Sequence, residues 1–102
     1  MDLKALEKML ARDSDNPMLH YTIGALFIKE GSPEKTVDHL QKAVALNPTH
    51  SASWKLYGKA LTKLDQLEQA TKAYEKGITV AESLGDIQAA KEMRVFVKRL
   101  KK

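Results

Sequence analysis

With 102 residues, 43% hydrophobic and 29% charged, the chain has the make-up of one soluble globular domain, near the lower end of what buries a comfortable core. No apolar run approaches the roughly 20 residues that span a bilayer. The Met1-Asp2-Leu3-Lys4 start lacks the charged-then-apolar layout of a secretory signal. Zero cysteines exclude disulfides, thiol chemistry and cysteine metal sites, so a reducing cytoplasmic setting is the expectation.

Glycine and proline divide the chain into six predicted helices. The first, over about residues 2–12, sets Leu3, Leu6 and Leu10 on one face at i, i+3, i+7 spacing. Asp13-Ser14-Asp15-Asn16 ends it, and Asn16 with Pro17 then reads as an N-cap followed by a proline at the first helical position. The second helix runs to about Glu30, where Gly31 can supply a left-handed turn. Ser32-Pro33-Glu34 repeats the start signal, with a hydroxyl cap, a proline and an acid near the positive end of the helix dipole. The third helix carries Val37, Leu40, Ala43, Val44 and Leu46 toward the core and stops before Asn47-Pro48. A fourth covers about residues 51–64. Asp65-x-x-Glu68 reads as a variant capping box for the fifth, which continues past Glu82 to Leu84. Asp86 caps the sixth, whose expected inner face is Ile87, Ala90, Met93, Val97 and Leu100. There is no strand pattern, and the predicted fold class is all-α.

Residue character repeats at an interval of 34 between Gly24 and Gly58. His20-x2-Ile23-Gly24-x2-Phe27 returns as Trp54-x2-Tyr57-Gly58-x2-Leu61, and Thr36-x3-Leu40 returns as Ala70-x3-Tyr74. Identity is sparse: the paired residues from Pro17/Ser51 to Pro48/Glu82 match only at Gly24/Gly58, Lys29/Lys63, Glu34/Glu68 and Lys42/Lys76. A period of this length with a helix-turn-helix in each copy predicts a stacked helical repeat. The two glycines let paired helices cross closely, and Ala43, Ala70 and Gly77 do the same from the second helix of each copy. Trp54, Tyr57 and Tyr74 fill the space that these small residues frame.

The pattern resembles the tetratricopeptide repeat, W-x2-L-G-x2-Y, then A-x3-F, then P. The second copy supplies Trp54, Gly58 and Ala70, and the first supplies Gly24, Ala43 and Pro48. The departures are His20 for Trp, Thr36 for Ala, Gly77 for Ala and Glu82 for Pro. The resemblance implies an antiparallel array with a half-repeat at residues 1–16, whole repeats at 17–50 and 51–84, and a capping helix with a basic tail at 85–102. It also implies a concave groove that binds a protein, peptide or helix. Carried over residue by residue, that groove is lined by Met18, Tyr21, Ala25, Ile28 and Lys29 from the first copy. The second copy contributes Ala52, Lys55, Lys59, Thr62 and Lys63. A subclass of these repeats clamps the carboxylate of chaperone tails with a lysine and an asparagine one turn apart. The matching pairs here are Tyr21 with Ala25 and Lys55 with Lys59, so that clamp is not present.

Charge gives the groove its expected ligand. Residues 1–50 sum to −1 and residues 51–102 to +5. Lys55, Lys59 and Lys63 stand four apart on one helical face, where like charges are mildly destabilising unless they serve something. An acidic segment or a terminal carboxylate suits them, and a solvated lysine face is the structural alternative. His20, His39 and His50 fall at spacings that suggest no metal site, and no nucleophile motif, glycine-rich phosphate loop or acid pair is present. The basic Lys98-Arg99-Leu100-Lys101-Lys102 end reads as cations at a helix C-terminus rather than a nucleic-acid site, since no aromatic stacking platform accompanies it. The expected role is therefore a non-catalytic interaction scaffold without cofactors or membrane attachment. Self-association as a homodimer is the alternative.

Overall fold

A computed structural model describes residues 2–101. They form six α-helices: α1 (Leu3–Arg12), α2 (Pro17–Lys29), α3 (Pro33–Leu46), α4 (Ser51–Lys63), α5 (Leu67–Ser83) and α6 (Ile87–Leu100). Strands are absent among the described residues.

Local chemistry sets most of these boundaries. Asp2 accepts a hydrogen bond from the Ala5 amide at 2.8 Å, and Asp86 accepts one from the Ala89 amide at 3.1 Å. Asn16 Oδ1 accepts from the Met18 and Leu19 amides at 3.0 and 3.2 Å, ahead of Pro17. Each satisfies amides that the first turn leaves without helical partners. Ser32 departs from expectation, because its side chain makes no capping bond and only its carbonyl receives the Lys35 and Thr36 amides.

The expected capping box at Asp65 also fails, for a conformational reason. Asp65 lies at φ 61°, in the left-handed region, and Gln66 occupies the N-cap position of α5. Gly31 at φ 82° and Gly85 at φ 77° hold the same conformation in two other turns. In all three turns the next amide reaches back five residues: Ser32 to Phe27 O, Gln66 to Leu61 O and Asp86 to Ala81 O, at 2.8–2.9 Å. Asp65 thus does the work of a glycine at the position 34 residues after Gly31, a role that Asp tolerates better than most side chains.

The helices stack in chain order, each packed on the next. α2 touches α4 and α4 touches α6, so these three form one layer. α1, α3 and α5 form the other layer, and no two of them come within contact at the backbone level among the described residues. One layer converges while the other splays, which curves the stack and makes the α2/α4/α6 side its inner face.

The core follows from the small residues. A Cβ added at Gly58 would sit 2.6–2.8 Å from the Tyr74 ring, and one at Gly77 would sit 2.5 Å from Met93 Sδ and 2.9 Å from Trp54 Cβ. Tyr74 therefore lies flat over α4, and α6 lies against α5, only because those side chains are missing. Leu6, Ile23 and Phe27 form one buried cluster, and Leu61, Ala70, Ala73, Tyr74, Ala81, Ala90 and Met93 form another. On α3, Leu40, Ala43 and Val44 are buried as expected and Val37 is half-buried, whereas Leu46 is 41% exposed at the helix end. On α6, Ala90 and Met93 are buried, but Ile87 is 56% exposed, since it begins the helix beyond the end of α5. Thr36, which replaces alanine, is fully buried and donates to Gly24 O at 2.8 Å, so its hydroxyl joins α3 to α2 where they cross.

The histidine that replaces tryptophan is compensated too. His20 is 2% exposed; its Nε2 lies 2.9 Å from Ser14 O and its Nδ1 lies 3.0 Å from His39 Nδ1. A carbonyl only accepts, so Nε2 of His20 carries the hydrogen and its bare Nδ1 accepts from the Nδ1–H of His39. The His39 ring in turn stacks on Phe27, with centroids 5.7 Å apart. Burial holds the His39 pKa below its ordinary value, reinforced by His20 and Lys42 and opposed by Asp38 and Glu7. A group with a depressed cationic pKa favours the folded state fully above its unfolded value, near 6.5, and loses that contribution as pH falls. The thermal midpoint is therefore expected to drop as the buffer goes from pH 7.5 to 5.5. His39→Gln, which keeps an N–H for His20, flattens that dependence; an equally steep profile in this variant would assign the effect elsewhere.

Candidate partner-binding groove

The inner face carries a groove of about 480 Å³, lined by Tyr21 of α2, Ala52, Lys55, Leu56 and Lys59 of α4, Tyr74 of α5 and Phe96 of α6. Thr62, Tyr74, Phe96, Arg99 and Leu100 line a smaller extension of about 160 Å³. The groove exists because α6 enters the inner layer beside α4, as a first helix of a further repeat would.

Its floor is aromatic. Tyr74 and Phe96 stand with ring centroids 5.3 Å apart, inside the range of favourable tilted pairs. Burial raises the Tyr74 pKa, partly offset by its hydrogen bond with Thr62, so the phenol is neutral at physiological pH. Tyr21 closes one end, set edge-on to His50 at 5.1 Å. His50 Nδ1 is 2.7 Å from Ser53 Oγ, which fixes that ring from below.

The cations stand on the α4 wall. Lys55 Nζ is 3.2 Å from Glu92 Oε1 of α6, with both side chains more than a third exposed. Such a pair contributes at most about 1 kcal/mol, so an incoming carboxylate competes with Glu92 on near-equal terms. Lys59, one turn on, is exposed and has no ionic partner among the described residues. Arg99 lies over the Phe96 ring at 6.0 Å and adds a third positive group near the far end.

Of the ten residues expected to line a groove, Tyr21, Ala52, Lys55 and Lys59 come together in it, and Thr62 lines its extension. Ala25 and Ile28 are half-buried along α2 and do not line it; Met18 is 48% exposed at the start of α2. Lys29 and Lys63 are exposed at the last turns of α2 and α4, away from the lining. The shift has one cause: α6 supplies the second wall, so the groove centres on α4 and α6 rather than on α2 and α4. Leu56, Tyr74 and Phe96 were missed as lining residues, and so was Glu92 as the partner of Lys55. Phe96 is three residues after Met93 and four before Leu100, a spacing that places it on the packed side of α6.

The histidines do not gather: His20 and His39 pair between α2 and α3 while His50 sits with Tyr21, and no cluster of three His, Asp or Glu occurs among the described residues. Within the basic end Lys101 Nζ lies 3.8 Å from Glu75, and Arg94, earlier on α6, pairs with Glu82. No described helix is long and apolar enough to cross a membrane.

Comparison with known proteins agrees with this architecture. Residues 3–77 match the family model described as anaphase-promoting complex, cyclosome, subunit 3. The TPR repeat-containing protein PA0015 of Pseudomonas aeruginosa is 42% identical over 100 residues, covering 98% of this chain and 95% of that protein. The solution structure of protein BPP2914 from Bordetella parapertussis superposes with a TM-score of 0.83 at 36% identity, covering 99% of this chain and 88% of that one. The first TPR of Spaghetti (RPAP3), bound to the HSP90 peptide SRMEEVD, superposes with a TM-score of 0.82 at 23% identity, over 98% of this chain and 78% of that one. The 34-residue period, the glycine-framed helix crossings and these relatives together show that the chain belongs to the tetratricopeptide-repeat family.

Proposed function

We propose that this protein is a non-catalytic interaction module, a scaffold or adaptor of the cytoplasm, that holds a peptide or helix of another protein in the α4/α6 groove. The supporting observation is the juxtaposition of an aromatic floor, Tyr74 with Phe96, and a cationic wall, Lys55 with Lys59. An apolar side chain of the ligand seats on the rings while its carboxylates reach the two lysines, which also steer its approach. The Spaghetti domain accommodates a peptide with three acidic residues on the same fold, which supports an acidic ligand here. The layout of half-repeat, two repeats and cap belongs to the same reading, with the refinement that the cap is also a wall of the groove.

The test is charge reversal. Lys55→Glu with Lys59→Glu is expected to weaken an acidic partner recovered by affinity capture about tenfold or more, with unchanged helical circular dichroism. Lys63→Glu, outside the groove, leaves binding as it was. Equal loss from both variants would point to a general electrostatic effect and sink the groove assignment.

Self-association is a second reading, favoured by one observation. Leu84, Ile87 and Val95 are 61%, 56% and 45% exposed at the α6 end of the stack, where a further copy of the chain fits as the next repeat would. Sedimentation over a concentration series tests this reading: a concentration-dependent rise in mass supports it, and a tight symmetric dimer would occupy the surface assigned to a partner.

A further inference from the structure

The outer face carries a second recessed surface that the groove reading does not use. α3 and α5 make no backbone-level contact with each other, and beyond the end of α3 the surface is recessed between the Pro48 turn, the start of α4 and α5. There the only tryptophan of the chain, Trp54, forms the floor of a cleft of about 560 Å³ with Pro48 at one end and Lys72, Glu75, Lys76 and Val80 along α5. A second hollow of about 260 Å³ shares Trp54, Lys72 and Lys76 and continues it over Tyr57 and Ala73.

Three features give this cleft the character of a recognition site. The indole Nε1–H is already committed to Pro48 O at 2.8 Å, so Trp54 presents only apolar ring surface. Trp54 and Tyr57 lie with centroids 6.3 Å apart and form a two-ring platform at the bottom. The rim carries two lysines against one acid. Lys76 has no ionic partner among the described residues, Lys72 is only 3.9 Å from Glu68 with both side chains largely exposed, and the one rim acid, Glu75, faces Lys101 at 3.8 Å. An apolar floor beneath one unpaired and one weakly paired lysine is complementary to an apolar side chain flanked by carboxylates.

We propose that the cleft between the Pro48 turn, α4 and α5 is a second protein-docking site, which takes an acidic segment of another protein through a bulky apolar residue on Trp54. The protein then bridges two partners, one on each face of a single 102-residue stack.

The probe is a synthetic peptide, acetyl-Asp-Glu-Leu-Asp-Phe-Glu-amide, whose blocked end removes the terminal carboxylate. It is titrated into ¹⁵N-labelled full-length protein, where the lone indole N–H signal reports Trp54 without ambiguity. The expected result is saturable movement of that signal together with the Lys72 and Lys76 amides. Lys72→Glu with Lys76→Glu, both exposed changes that leave the core alone, is expected to weaken it about tenfold or more. Lys55→Glu with Lys59→Glu leaves it in place. Movement confined to Tyr21, Ala52 and Lys59, binding that persists undiminished in the Lys72/Lys76 variant, or no movement at millimolar peptide would each overturn the proposal. The two double variants also separate this site from the groove, since each reads out one face.

Discussion

Tyr74→Ala is expected to lower the thermal unfolding midpoint by about 15–30 °C, while Tyr74→Phe lowers it by only a few degrees. Tyr74 is 3% exposed and its ring occupies the space that Gly58 leaves, so truncation opens a void that neighbouring backbone cannot close. Removing a buried aromatic costs about 3–5 kcal/mol, and each kcal/mol moves the midpoint of a domain this size by about 4–8 °C. Phenylalanine keeps the ring packing over Gly58 and loses only the phenol hydroxyl, a change worth about 1 kcal/mol. Differential scanning calorimetry of the three proteins checks this. Similar midpoints for the alanine and phenylalanine variants would show that the hydroxyl, rather than ring packing over Gly58, is what matters.

Ending the chain after Gly85 is expected to abolish cooperative folding. Without α6, the surface that Met93, Phe96, Val97 and Leu100 cover on α5 faces water. Met93 is fully buried, and its loss alone costs about 2–5 kcal/mol against a typical domain stability of about 5–15 kcal/mol. The Arg94–Glu82 and Lys101–Glu75 pairs go with it, though exposed pairs of this kind add little. Circular dichroism of residues 1–85 should show a broad, shallow melt, whereas a protein lacking only residues 101–102 melts like the whole chain. A sharp transition near the full-length midpoint in the shorter protein would mean that α6 is an accessory to the stack rather than part of its core.

The sequence was most legible where one residue type has one physical job. Asn16-Pro17 and Asp86 start helices as they should, and Gly24, Gly58 and the alanines sit where helices cross. Asp65 was misread because aspartate suits both an N-cap and a left-handed turn, and only the backbone distinguishes them. The groove was half legible. The α4 face is periodic and could be read from Lys55 and Lys59, but the other wall comes from α6, which lies outside the 34-residue repeat. No internal copy marks Phe96 as a lining residue or Glu92 as the partner of Lys55, and the residues they meet, Tyr74 and Lys55, are 22 and 37 positions away in the chain. Long-range pairing of that kind is set by packing, which periodicity does not report.

The His20–His39 pair, one ring buried and the other half-buried, has a counterpart in the second repeat, where the same two positions are Trp54 and Ala73. One repeat fills the space with two medium rings, the other has one large ring and a methyl group, and Trp54 and Ala73 line the same hollow. Neither position can change alone: a tryptophan at residue 20 meets the His39 ring, and an alanine at residue 39 leaves His20 without its donor. Each solution is a locked pair of choices, and intermediates between them pass through an overfilled or an underfilled core. The two repeats are consequently isolated from one another in sequence space although they share a backbone, so neither can substitute for the other piecemeal. Repetition in this chain conserves geometry and lets the contents of each compartment drift only in matched pairs.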